Sequence, residues 1–105
     1  MERGEIRWYT FKAPDKKRPV VILTRNSAIK FLSEVTIAPI TSTIRDIPTE
    51  VILDQEVGMK TVSAINLDHV QTVSKSNIGA YISKLSESKI DEIKTALLFA
   101  LGFDR

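Results

Sequence analysis

Four consecutive apolar residues, Val20-Val21-Ile22-Leu23, stand directly behind the basic run Lys16-Lys17-Arg18 and Pro19. A strand that is apolar at every position is one covered on both faces. A chain of 105 residues supports a single such core, so it is read as one domain with this strand inside it. Pro19 fits the strand's first position, where no ladder donor is required. The spacing predicts a strand over 19–24.

Other segments share the β period. Glu5–Phe11 alternates, with Ile6, Trp8 and Thr10 on one side. Lys12–Lys17 is read as a turn around Pro14-Asp15. Glu34–Thr41 is a third strand, and Pro39 within it predicts an edge or a bulge. Thr49–Asp54 is a fourth, closed by a turn over Gln55–Lys60 with Gly58. Thr61–Ser74 is one long strand, or two with a bend near Asn66, and Tyr81–Ser86 is a short last strand. Between Arg25 and Ser33 the sequence predicts a polar connection with a helical turn.

Only the tail changes period. Ile90, Ile93, Leu97 and Leu101 recur at helical spacing, with Ser86 placed to cap the start and Gly102 to end the helix. Leu85 and Ile90 stand where a hydrophobic staple packs. The expected fold is mainly β: five to seven short antiparallel strands in a barrel-like twisted sheet, with a C-terminal α-helix closing one end.

Composition removes several kinds of chemistry. The chain has no cysteine and one histidine, His69, which excludes disulfides, thiolate metal sites and any two-histidine acid–base pair. It has no Gly-rich phosphate loop and no metal-ligand spacing. No apolar run approaches the roughly 20 residues of a membrane span, and the N-terminus lacks the apolar core of a signal peptide. A cytoplasmic protein without a membrane partner is expected. Net charge is +2, yet residues 1–30 carry +5 and the remainder −3. If those thirty residues form one face, it attracts a polyanion.

Two places carry unusual side chains: Arg18 at the head of the apolar strand, and the hydroxyl run Thr41-Ser42-Thr43 after Pro39. Sequential strands commonly pair. If the second and third do so antiparallel, Arg18 meets Thr41 at one rim of the sheet. A guanidinium presents a planar fork of donors to phosphate oxygens and stays charged at any working pH. It can stabilise charge building on phosphorus, with a hydroxyl as a second donor. Taken singly, each residue also fits ordinary strand-end polarity.

The residues together resemble the MazF/PemK family of toxin endoribonucleases from bacterial type II toxin–antitoxin systems. The resemblance runs in order along nearly the whole chain: Arg3-Gly4-Glu5-Ile6 with Trp8 and Tyr9; Arg18-Pro19 before Val20–Leu23; Pro39-Ile40-Thr41-Ser42; Ser63-Ala64-Ile65; Asp68-His69-Val70-Gln71-Thr72; and a terminal helix led by Leu85-Ser86. It implies an SH3-like barrel of the MazF/PemK/CcdB type. It implies a homodimer that cleaves single-stranded RNA at short sequences without metal or other cofactor, leaving a 2′,3′-cyclic phosphate and a 5′-hydroxyl. A cognate antitoxin would neutralise it by laying an acidic, flexible tail in the RNA groove.

The family's catalytic arginine and threonine fall on Arg18 and Thr41. Lys16, Lys17, Trp8, Arg25, Ser42 and His69 are the candidate RNA contacts. Two stretches depart from the family pattern: the first loop is short and basic, and the usual Gln-Ile/Val-Arg is His69-Val70-Gln71. Two further readings keep the barrel without the cleavage: a CcdB-like inhibitor of DNA gyrase, and an RNA-binding barrel with no catalysis. The terminal Gly102-Phe103-Asp104-Arg105 lacks the tryptophan-containing tripeptide of the gyrase inhibitors.

Overall fold

Strand β3, Glu34–Thr41, touches more of the molecule than any other strand. In the computed structural model, which describes residues 1–11, 16–54 and 58–104, it pairs with β2 (Lys16–Ile22) along one side. Its other side changes partner midway. Residues Glu34–Ile37 pair with β6 (Gln71–Ser74), and Ile40 and Thr41 pair with β5 (Ser63–Asn66). Pro39 falls in the gap between those two ladders. It lies neither on an edge strand nor beside a one-residue bulge, as the sequence suggested, but where a missing N–H interrupts nothing on that side.

The remaining strands extend the sheet. β1 (Glu5–Phe11) pairs with β2 and with β7 (Ile78–Lys84), and β4 (Glu50–Leu53) pairs with β5. The order is β4-β5-β3-β2-β1-β7, with β6 also on β3, and every pairing is antiparallel. A short helix, α1 (Asn26–Ile29), follows β2, and α2 (Glu87–Leu101) ends the chain. The mainly β class with its C-terminal helix stands as expected.

The apolar run earns its double cover. Val20, Val21 and Ile22 are all fully buried, and alternate residues serve two cores. Val21 joins Ile6, Ala38, Ile40, Leu53, Ile65 and Leu67 beneath Ile93 and Ala96 of α2. Val20 and Ile22 join Val35, Ile37, Val73 and Ile29 of α1 on the opposite face, flanked by Tyr9 and Phe11.

Several strand boundaries differ from expectation. β2 begins at Lys16 rather than Pro19, so the basic run is part of the strand. Pro19 is tolerated inside it because the ladder to β3 begins only at Val20. β7 begins at Ile78, and Thr61–Ser74 is two strands split by a 3-10 turn over Leu67–His69, the predicted bend. Parts of the predicted Lys12–Lys17 and Gln55–Lys60 turns lie outside the described residues.

The ends of α2 follow the sequence closely. Ser86 Oγ accepts from the Lys89 N–H at 3.3 Å, and Gly102 turns left-handed at φ 79° to close the helix. Leu85 and Ile90 pack in the same core. The far end of the predicted apolar stripe does not bury: Leu101 is 59% exposed. Gly4 ties the start of β1 to the end of β2 and to the entry of this helix. Its N–H donates to Ile22 and its carbonyl accepts from Leu85, with φ at +91°.

Candidate active site

Continuing the β2–β3 register two residues beyond the Val20–Pro39 pair puts Arg18 opposite Thr41. Both line one cleft of about 460 Å³, a size typical of small-ligand sites. Alternation explains the meeting. Arg18, Val20 and Ile22 share one face of β2, and Thr41 shares a face of β3 with Ile37, so both polar residues lie at the open rim of the second core.

The guanidinium of Arg18 is exposed and makes no ion pair or hydrogen bond among the described residues. Its direct cross-strand partner is Tyr9, whose ring meets Phe11 edge-on at 4.8 Å. Thr41 Oγ1 accepts from the Thr43 N–H at 3.1 Å. That bond uses an oxygen lone pair and leaves the hydroxyl proton free to donate. An anion in the cleft thus meets the Arg18 guanidinium and one oriented hydroxyl.

Four cleft residues were not singled out in the sequence. Phe11 brings an aromatic ring from β1, and Arg45 a second guanidinium from the Ser42–Pro48 loop. Glu50, at the start of β4, also lines the cleft. Its carboxylate accepts from the Arg45 N–H at 3.0 Å and the Asp46 N–H at 2.9 Å, clamping the loop where Asp46 adopts φ 57°. Asn66, at the end of β5, is Glu50's direct partner across the ladder. Its Oδ1 accepts from the Asp68 N–H at 3.0 Å and its Nδ2 meets His69 Nδ1 at 3.2 Å. Asn66-Leu-Asp is a side-chain-capped turn signature that points to this corner in the sequence.

The predicted RNA contacts divide. His69 lines the cleft with Arg18 and Thr41. Lys17 does not: strand alternation places it on the other face of β2, where its Nζ sits 5.3 Å over the Trp8 ring. Trp8 is thereby half-covered on that same far face, against Gly79, where an added Cβ would come within 3.0 Å of the Trp8 carbonyl oxygen. Arg25 lines a separate hollow with Arg3, Leu32 and Leu101. Ser42 follows Thr41 at the surface without lining the cleft, and the side chain of Lys16 lies outside the described residues. The thirty basic-rich residues therefore do not make one cationic face. Arg7, for example, is bound to Glu5 at 2.8 Å.

Residues 2–101 match the family described as PemK-like, MazF-like toxin of type II toxin–antitoxin systems. The chain belongs to the PemK/MazF toxin family. It is 38% identical over 90 residues to endoribonuclease MazF3 of Mycobacterium tuberculosis, covering 86% of this chain and 87% of that protein. Probable endoribonuclease MazF5 of the same organism is 38% identical over 106 residues, covering 98% and 94%. Among solved structures, the M. tuberculosis toxin MazF-mt6 superposes with a TM-score of 0.88 at 35% identity, covering 96% of this chain and 99% of that one. An endoribonuclease in complex with its cognate antitoxin from a mycobacterial species superposes at 0.86 with 25% identity, covering 97% and 95%. The SH3-like barrel expected for a MazF-type toxin is the fold observed.

Proposed function

We propose that this PemK/MazF protein is a sequence-selective endoribonuclease toxin that cuts single-stranded RNA with Arg18 and Thr41 at the scissile phosphate. The observation that carries the reading is their juxtaposition: a guanidinium with no ion pair or hydrogen bond among the described residues, and a free hydroxyl donor, at the rim of one cleft. The endoribonuclease relatives, at 38% identity, support the same activity.

The chemistry follows from the two groups. RNA carries its own nucleophile, the 2′-hydroxyl, next to each phosphorus. Its attack forms the O–P bond of a 2′,3′-cyclic phosphate and breaks the bond to the 5′ oxygen of the next nucleotide. The 2′ proton leaves with solvent or a base, and the departing 5′ oxygen takes one up. Charge rises on the non-bridging oxygens between those events. In this reading Arg18 pairs with them through two parallel N–H donors, and Thr41 donates a further bond to the same group. No step calls on a metal ion.

Inhibition of translation and growth arrest follow if mRNA, tRNA or rRNA is cut. A cognate antitoxin with an acidic, flexible segment is the expected partner, in line with the antitoxin complex of the mycobacterial relative. An acidic tail entering the cleft would meet Arg18 and Arg45. The active form is a homodimer, with RNA along a groove spanning both copies. Lys16, Lys17, Trp8, Arg25 and Ser42 contact RNA beyond the cleft, where a long strand crosses more of the surface.

The test is end-mapping. Purified protein is incubated with a long single-stranded RNA, and new termini are sequenced and typed. Cuts at one recurring short sequence, ending in 2′,3′-cyclic phosphate, are expected. Intact RNA, or scattered cuts ending in 3′-hydroxyl, would refute the reading.

A further inference from the structure

The bonds around Asn66 fix the protonation geometry of His69. A backbone N–H only donates, so the Asn66 amide atom it meets, from Asp68 at 3.0 Å, is the oxygen. The other end of the amide is then an NH₂, which only donates. It meets His69 Nδ1 at 3.2 Å, so Nδ1 must accept. In a neutral imidazole one nitrogen accepts and the other carries the proton, and the bond made by one decides the role of the other. With that bond made, a neutral His69 ring carries its proton on Nε2.

We infer that His69 is a base-reading residue: with its tautomer locked by Asn66, it offers Nε2–H as a fixed donor to an acceptor atom on the edge of a substrate nucleobase. This rests on the endoribonuclease reading and adds a specificity determinant to it. Single-stranded RNA is read along exposed base edges, and a polar group whose role cannot switch rejects a base that presents a donor to it. His69 lines the cleft shared by Arg18 and Thr41, beside Gln71, which offers an amide on the same wall. The same bond excludes Nε2 as the acceptor of the 2′ proton while Asn66 is in place.

His69 is the sole histidine, so its ring nitrogens can be observed without assignment ambiguity. Long-range ¹H–¹⁵N correlation on labelled protein, at a pH where the ring is neutral, should show a protonated Nε2 and an unprotonated Nδ1. Asn66→Ala should turn this into a mixture of tautomers. A wild-type ring protonated on Nδ1 overturns the inference.

End-mapping on a randomised RNA pool supplies the second arm. His69→Phe keeps a flat ring and removes the donor. Cuts should persist with preference at one position of the recognition sequence reduced roughly five- to tenfold, the range of one hydrogen bond. His69→Gln, which restores an NH₂ donor, should recover part of it. An unchanged recognition sequence in His69→Phe overturns the inference and leaves the nuclease reading standing. A wild-type protein that cuts nothing removes both.

Discussion

Glu50 and Asn66 are direct partners across the β4–β5 ladder, and each holds a different part of one cleft wall. Glu50 fixes the loop that carries Arg45, and Asn66 fixes the turn that carries His69. The cleft is thus two-sided. Arg18 and Thr41 come from the β2–β3 register, while the opposite wall depends on one carboxylate and one amide at the ends of two short strands.

Glu50→Ala should free the Ser42–Pro48 loop. Hydrogen bonds to a charged group contribute about 1.5–3 kcal/mol each in favourable settings, and two backbone donors lose their partner here. Denaturant unfolding should show a loss at the lower end of that range, because Glu50 is only half-buried. RNA cleavage should fall through KM more than through kcat, as Arg45 loses its place. Equal stability for variant and wild type would refute the clamp.

Thr41→Val removes the hydroxyl while keeping the β-branched shape. Loss of a positioned donor at a charged transition state costs about a hundredfold or more in kcat. Thr41→Ser should retain most of the rate. Single-turnover cleavage of a short RNA checks both, and a fully active Thr41→Val protein would remove Thr41 from the mechanism.

Gly4→Ala tests the link between β1 and α2. The left-handed backbone costs a residue with a Cβ about 1–2 kcal/mol, and the added carbon would sit 2.9 Å from Ile90 Cδ1. A melting temperature lower by at least about 4–8 °C is expected for a domain of this size. Unchanged melting would show that this corner relaxes freely.

Lys84 donates to the Glu2 carboxylate. That bond and the accompanying charge hold the Glu2 carboxyl below its ordinary 4.5 and the Lys84 ammonium above its ordinary 10.5. The stabilisation is therefore present in full at neutral pH. It is lost in acid as pH falls through the lowered Glu2 value, and in alkali as pH rises through the raised Lys84 value. Both groups are open to solvent, so salt should screen the effect. Glu2→Gln should lower the melting temperature slightly at neutral pH in low salt, and not at all in strong acid. A larger effect in high salt would contradict the pairing.

Much of this arrangement was legible in the residues. β1 and β3 were bounded correctly because turn residues and a clear alternation mark their ends. The helix caps carried their own signals in Ser86 and Gly102. The start of β2 was hidden because Lys16–Arg18 look like a solvated turn, although they continue the hairpin with β1. Arg18 and Thr41 could be brought together from strand order alone, since one antiparallel pairing decides their meeting. Arg45, Glu50 and Asn66 could not. Their place depends on β5 lying between β4 and β3, and its pairing with β3 joins distant segments that no local pattern links. The separation of Lys17 and Trp8 from Arg18 turns on a single step of strand alternation, which the misplaced start of β2 concealed.

The central claim is that Arg18 supplies the charge for metal-free RNA cleavage. The most direct test compares wild type with Arg18→Ala on the same single-stranded RNA in excess EDTA, with circular dichroism and melting to establish that both are folded. Wild type should cut at its recurring sequence undiminished by EDTA, and Arg18→Ala should be slower by about a hundred- to a thousandfold. A folded Arg18→Ala protein that cuts as fast as wild type, or a wild type silenced by EDTA, would contradict it.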